Sequence, residues 1–260
     1  MLSNQQLVIA NFEDKLKKFT RAVHGDFTVE DDFVIANTNF PTDTFNVLLP
    51  KSPTVQNSFE LRHGISHFFI KNKFPFSTWI DARYLNDDWK KLMQEYGLKE
   101  AERNVMMKLD HTLHVEPRSS YGLKISHVEA QEELVKYEEV FMSLFQGTPE
   151  KEALQSYFNA FFSPADLGSS VRMFIGCIGE VAVTAGLLIE SKNSYGIYDV
   201  MTKEAFRGSG YGSEMFHFLL NQTMDKQKPV VLQASEDGKN LYKRFGFIEV
   251  GEMVVFEKKY

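Results

Sequence analysis

The stretch Tyr195–Leu220, YGIYDVMTKEAFRGSGYGSEMFHFLL, constrains this 260-residue chain more than any other. An apolar run over 195–202 reads as a strand. Arg207-Gly208-Ser209-Gly210-Tyr211-Gly212 follows as a turn, and an amphipathic helix begins near Gly210. Glycine at alternate positions lets backbone N–H groups converge with no Cβ in the way. The first amides of a helix have no intrahelical acceptor, and the helix dipole adds positive potential at the same place. Together these features make an anion site suited to a pyrophosphate, with Arg207 as a fixed cation beside it.

Two common phosphate-binding patterns do not fit. The pattern G-x-x-x-x-G-K-[ST] is absent, and glycines at 208, 210 and 212 give G-x-G-x-G rather than G-x-G-x-x-G. A tight strand-to-helix turn can also demand glycines, so the surroundings decide. Arg207-x-x-Gly210-x-Gly212 is followed about thirty residues later by Leu241-Tyr242-x-x-x-Gly246-Phe247, with the strand-like run Val230–Ala234 between them. These motifs, in this order, resemble the GNAT superfamily of N-acetyltransferases, and the resemblance covers roughly residues 118–260.

The resemblance implies acetyl-CoA as co-substrate, with no metal. The amides of Arg207, Gly208, Ser209, Gly210, Tyr211 and Gly212 would hold the coenzyme pyrophosphate, and the strand edge Val200, Met201 and Thr202 its pantetheine arm. That strand would splay from Val230–Ala234 and leave a gap for the thioester. Ser235 stands where many members have Asn, and Gly238 where Ala is frequent; both departures fall around the coenzyme arm. Tyr242 matches the tyrosine that faces the coenzyme sulfur. A phenol with pKa near ~10 is protonated at neutral pH and can act as general acid. A backbone N–H on the Val200 strand would stabilise the oxyanion. Asp199, Glu180 and Glu190 lie on or near the strands that line such a site, and water chains can also remove the amine proton. Asp199 is grouped with Tyr242 as the candidate catalytic pair. The implied reaction moves an acetyl group to a primary amine of a small molecule or peptide, by direct attack in a ternary complex. The alternatives are an acyl-CoA-binding sensor without transfer, or a structural partner that docks through its N-terminal half.

The chain also resembles itself. Residues 92–109, LMQEYGLKEAERNVMMKL, align at an offset of 149 with residues 241–258, LYKRFGFIEVGEMVVFEK. Leu92 meets Leu241, Tyr96 meets Phe245, Gly97 meets Gly246 and Val105 meets Val254. Each segment reads as a short helix, a glycine stop and an extended run. With FPFSTWID at 74–81, this makes the first half similar to that of tandem GNAT proteins. It is degenerate: Gly64-Ile65-Ser66, taken as the counterpart of the loop, has no glycine cluster. One coenzyme site is therefore expected, in the second half. The expected fold is α/β (α+β), with two GNAT-like domains, each a mixed, mostly antiparallel sheet flanked by helices. Residues 1–115 form the degenerate domain and 116–260 the coenzyme-binding one, joined by a linker at His111–Tyr121.

In the first half, the spacing of Leu7, Val8, Phe12, Leu16, Phe19 and Val23 predicts a helix over 5–24. Strands are expected at 33–36, 45–49, 76–80 and 98–109, and helices at 58–73 and 87–96, the latter capped by Asn86. In the second half, strands are expected at 123–128, 171–178, 181–189 and 247–258, helices at 129–145 and 239–245, and a helix from Pro149 capped by Thr148.

A net charge of −6 argues against nucleic acid as a partner, since phosphates need a basic surface. Cys177 is the single cysteine, so no intrachain disulfide forms, which fits a reducing compartment. The N-terminus lacks the pattern of a secretory leader and no run of 18 apolar residues occurs, so the expected location is the cytoplasm. His63 and His67 have a zinc-like i, i+4 spacing but no third ligand, and read as ordinary helix histidines. Cys177 sits in an apolar strand and reads as a buried packing residue rather than a nucleophile.

Overall fold

The computed structural model describes residues 2–55, 58–110, 122–160, 167–223, 228–236 and 238–258. The expected linker at His111–Tyr121, which contains the 115/116 boundary, lies outside the described residues. Helix α1 (Asn4–Ala22) opens the chain, capped by the Ser3 hydroxyl in a reciprocal box with Gln6. Strands β1 (Asp26–Val29), β2 (Phe33–Asn37) and β3 (Val47–Pro50) lead to α2 (Ser58–Ile65), which runs on as one π-helical turn, Ser66–Ile70. Then come β4 (Ser77–Asp81), α3 (Asp87–Glu95) and β5 (Lys99–Leu109). The second half runs β6 (Leu123–His127), α4 (Gln131–Met142), α5 (Lys151–Asn159), β7 (Val171–Ile178), β8 (Val181–Glu190) and β9 (Tyr195–Thr202). It closes with α6 (Tyr211–Asn221), β10 (Val230–Ser235), α7 (Lys239–Lys243) and β11 (Ile248–Glu257).

Most expected elements form. Asn86 caps α3 by accepting from the Trp89 amide, and Gly97 ends that turn at a φ of +74°. Gly179 takes a φ of +57° in the hairpin between β7 and β8. Thr148 does not cap α5: its hydroxyl donates to the Phe145 carbonyl, and the helix starts at Lys151. Strand β1 was not expected, because Asp-Phe-Thr-Val is short and half exposed.

The eleven strands form one sheet among the described residues, in the order β1-β2-β3-β4-β11-β5-β10-β9-β8-β7-β6. It is mixed and mostly antiparallel, flanked by helices. The long strands β5 and β11 trade places: β5 of the first half lies between β10 and β11, and β11 of the second between β4 and β5. They pair antiparallel, with Asn104 opposite Met253, Arg103 opposite Val254 and Val105 opposite Glu252. Asn104 and Met253 differ by 149, the offset of the internal repeat. A local two-fold axis therefore passes between them, and the repeat is real in three dimensions. Both halves also keep a parallel pair joined over only two residues, β3–β4 and β9–β10.

Alternation along the strands sorts side chains between two faces. On the front, Val34, Val47, Met106, Val231 and Met253 pack under α1, α4 and α5. On the back, Ile35, Leu48, Ile80 and Val254 meet α2 and α3, while Val105, Ile197 and Leu232 meet α6. Helix α1 thus belongs to the first half but crosses the front of β9, β10, β5 and β11. No helix among the described residues is long and apolar enough to cross a membrane.

Candidate active site

The site begins with a fault in β9. Leu187 pairs with Tyr198 and Ala185 with Met201, so Asp199 and Val200 together oppose the single residue Gly186. This is a β-bulge, and Asp199 takes a left-handed φ of +51° to make it. On its other side, β9 pairs with β10 only at Tyr195 and Gly196. Beyond those two residues the strands diverge, as expected. The edge of Val200, Met201 and Thr202 toward β10 is left without a ladder partner.

A short 3₁₀ turn, Glu204–Phe206, carries the chain from β9 into the glycine loop. Gly208 and Gly210 have φ of +78° and +87°, conformations that side-chain-bearing residues rarely adopt. A Cβ on Gly212 would lie 3.0 Å from the Thr202 hydroxyl, a tight contact that a side chain there could make only by shifting Thr202. The N–H groups from Gly208 to Ser213 make no hydrogen bond to a described residue. They are an array of unpaired donors at the start of α6, which is what an anionic group of pyrophosphate size requires. Arg207 is exposed beside them, its Nε donating to the Thr202 carbonyl at 3.2 Å. Ser235, at the end of β10, accepts from the Gly238 amide through its hydroxyl at 3.1 Å and so shapes the turn into α7.

In front of the divergence lies a cavity of about 470 Å³. Asp199, Val200, Met201, Ser235 and Tyr242 line it from the second half. The Tyr242 ring packs 4.8 Å from that of Phe216, and burial pushes its phenol above the usual tyrosine range. Asp199 is held on both oxygens: Lys15 of α1 lies 3.1 Å from one, and the Tyr137 hydroxyl donates to the other at 3.3 Å. Tyr198 donates to Asn11 of α1 at 3.0 Å. The glycine loop, Arg207 and Thr202 do not line this cavity; they stand at the neighbouring surface, where the strand edge leads.

Phe141, Leu144, Phe145 and Gln233 add to this wall from the second half, and the first half supplies the rest. Phe12, Lys15 and Phe19 come from α1, Trp79 from β4, and Glu102 and Asn104 from the exchanged strand β5. Sequence reasoning missed Lys15, Glu102 and Asn104, because only the strand exchange and the crossing of α1 bring them to the site; it also missed Gln233, which lies on β10 itself with no motif to mark it. A second carboxylate group lies beside it. Glu150 accepts from the Thr42 and Thr44 hydroxyls and from the Asp43 amide. Burial and the adjoining Glu150 push the Asp43 carboxyl up to about 8.

Other candidates fall elsewhere. Glu180 is fully exposed on the β7–β8 hairpin, and Glu190 pairs with Lys228 at 3.0 Å, so neither lines the cavity. Cys177 is half-buried on β7 rather than fully buried, and burial raises its thiol pKa. His63 of α2 and His67 of the π-helical turn that continues it stack at 6.0 Å, with no third metal-ligating side chain near them among the described residues. The loop's counterpart in the first half is not Gly64-Ile65-Ser66, which sits inside helix. The topological equivalent lies between β3 and α2; its described part, Lys51–Val55, also lacks glycine.

Residues 150–258 match the family model described as an acetyltransferase (GNAT) domain. No curated protein matches the chain. Among solved structures, a GCN5-related N-acetyltransferase from Kribbella flavida is similar at a TM-score of 0.67 and 13% identity, over 96% of this chain and 95% of that one. A conserved protein of unknown function from Staphylococcus epidermidis ATCC 12228 is similar at 0.65 and 16% identity, over 91% and 94%. A tandem GNAT protein from the clavulanic acid biosynthesis pathway is similar at 0.58 and 10% identity, over 100% and 98%. The match to a GNAT acetyltransferase domain thus falls within the second half, and the chain over its whole length shares the fold of a tandem GNAT protein.

Proposed function

We propose that the protein transfers an acetyl group from acetyl-CoA to a primary amine, by direct attack within a ternary complex. The supporting observation is the divergence of β9 from β10. It leaves an unpaired strand edge that runs from the donor-rich loop to the cavity holding Tyr242. In this reading the amides of residues 207–212 grip the pyrophosphate, and Val200, Met201 and Thr202 pair with the pantetheine arm. Ser235 lies along the same arm. Residues 116–260 act as the coenzyme-binding domain, and 1–115 as the degenerate one that completes the acceptor wall.

The amine nitrogen attacks the thioester carbon, and negative charge develops on the carbonyl oxygen. In this reading a backbone N–H at the Asp199-Val200 bulge, where the β8–β9 register breaks, stabilises that charge. Carbon–sulfur cleavage then releases a thiolate, which takes the phenolic proton of Tyr242. The raised pKa of Tyr242 keeps that proton in place through neutral pH and into the alkaline range. Asp199, oriented by Lys15 and Tyr137, receives the amine proton directly or through water. Cytoplasmic action is part of the same reading.

Tyr242→Phe tests this against the sensor alternative. Retained acetyl-CoA affinity with kcat lower by about 10²-fold or more is expected for loss of a general acid. Unchanged turnover would remove Tyr242 from that role.

A further inference from the structure

We propose that the acceptor is a cationic amine on an apolar, aromatic-sized body carrying no acidic group, and that Glu102 of the exchanged strand is the carboxylate that meets its ammonium. This rests on the acetyltransferase reading above and narrows it to a class of substrate.

The walls away from the coenzyme edge are rings. Phe12 lies 5.0 Å from Trp79, and Phe45 lies 6.0 Å from Phe141 and stacked with it, all four lining the cavity. Such a surface favours a flat or apolar body. The charges decide the rest. Lys15 is the one cation among the lining residues, and Asp199 already neutralises it at 3.1 Å. Glu102 also lines the cavity, and no cation pairs with it among the described residues; it accepts only from Asn104, at 2.8 Å. An acceptor carrying a carboxylate or phosphate would thus face an unpaired like charge, and a cation an unpaired opposite one.

Position fits the role. Asn104 pairs with Ser235 at the end of β10. Glu102 is two residues further along the same face of β5, about 7 Å at the usual strand rise. It therefore stands beside the mouth of the β9–β10 gap. On the cavity floor, the Gln233 amide nitrogen is buried with no hydrogen-bond partner among the described residues. It is a donor that an oxygen of a bound molecule, such as an acyl carbonyl or an acceptor hydroxyl, could satisfy. The first half thereby supplies the selecting charge, Glu102, while both halves line the acceptor wall and the second holds the coenzyme.

The test uses the full chain, acetyl-CoA and acceptors matched except for one carboxylate: phenethylamine against phenylalanine, and tyramine against tyrosine. A kcat/KM at least tenfold higher for the amines is expected. Glu102→Gln should raise KM for phenethylamine about tenfold without changing acetyl-CoA affinity, and Glu102→Lys should narrow the gap between the matched pair. Three results would overturn the proposal: equal or better use of the amino acids, use of a phosphorylated amino sugar in preference, or an unchanged KM in Glu102→Gln. Acetyl-CoA binding with no turnover of either amine would sink the acceptor class and leave the coenzyme site standing. A folded protein that does not bind acetyl-CoA would remove both readings.

Discussion

Asp199 carries a conflict that the site depends on. A non-glycine residue in the left-handed region costs on the order of 1–3 kcal/mol and persists only where its surroundings hold it. Lys15 and Tyr137 do so here, from two different helices. Asp43 carries another. In the unfolded chain its carboxyl ionises near the ordinary 3.8; in the fold, burial and Glu150 hold its proton to about 8. Between those values the folded state binds the extra proton, so its contribution to stability falls as pH rises through that window. Asp43→Asn keeps a donor toward Glu150 and cannot ionise. Relative to wild type, its urea midpoint should therefore improve from about pH 5 to about pH 8.5, and an offset equal at both would contradict the assignment. At this scale the sequence revealed the local chemistry. Arg207, the three loop glycines and Tyr242 lie in contiguous motifs. Lys15 and Glu102 lie in the other half of the chain, and nothing in their neighbours marks them.

Among elements, β9 is shaped as much by α1 as by its own sheet. Asn11 donates to the Ile189 and Ser194 carbonyls and accepts from Tyr198, clamping the turn before β9 and the residue before the bulge. The helix comes so near that a Cβ on Gly196 would lie 1.9 Å from the Asn11 side-chain oxygen and 2.5 Å from the Tyr198 ring. Gly196→Ala must displace the Asn11 side chain and the Tyr198 ring, and so break the Asn11 clamp. A loss of about 3 kcal/mol, the upper end for overpacking, is expected in chemical denaturation. Acetyl-transfer activity should fall further than stability alone explains, because the bulge loses its clamp; full activity with wild-type stability would refute this account of α1. The strands β7, β8 and β9 were legible from their apolar alternation and the glycine hairpin. The crossing of α1 was not, since its stripe of Val8, Phe12, Leu16 and Phe19 says that it is buried but not against which strands.

Over the whole molecule, the two halves are joined by an exchange of their last strands. The internal repeat announced two related units. It could not announce that β5 and β11 would pair with each other about a two-fold axis at Asn104 and Met253, because a repeat fixes what each unit contains and not which neighbour completes it. The consequence is functional: Glu102 and Asn104 reach the cavity only because β5 lies beside β10. The proposed coenzyme site, the glycine loop and the open edge of β9, lies within the second half, and it carries the central claim. Calorimetric titration of acetyl-CoA into the wild type and an Arg207→Glu, Gly210→Glu double variant tests it most directly. Saturable binding at one site in the wild type, lost in the folded variant, is the predicted result. No binding by the folded wild type, or equal binding by the variant, would contradict it.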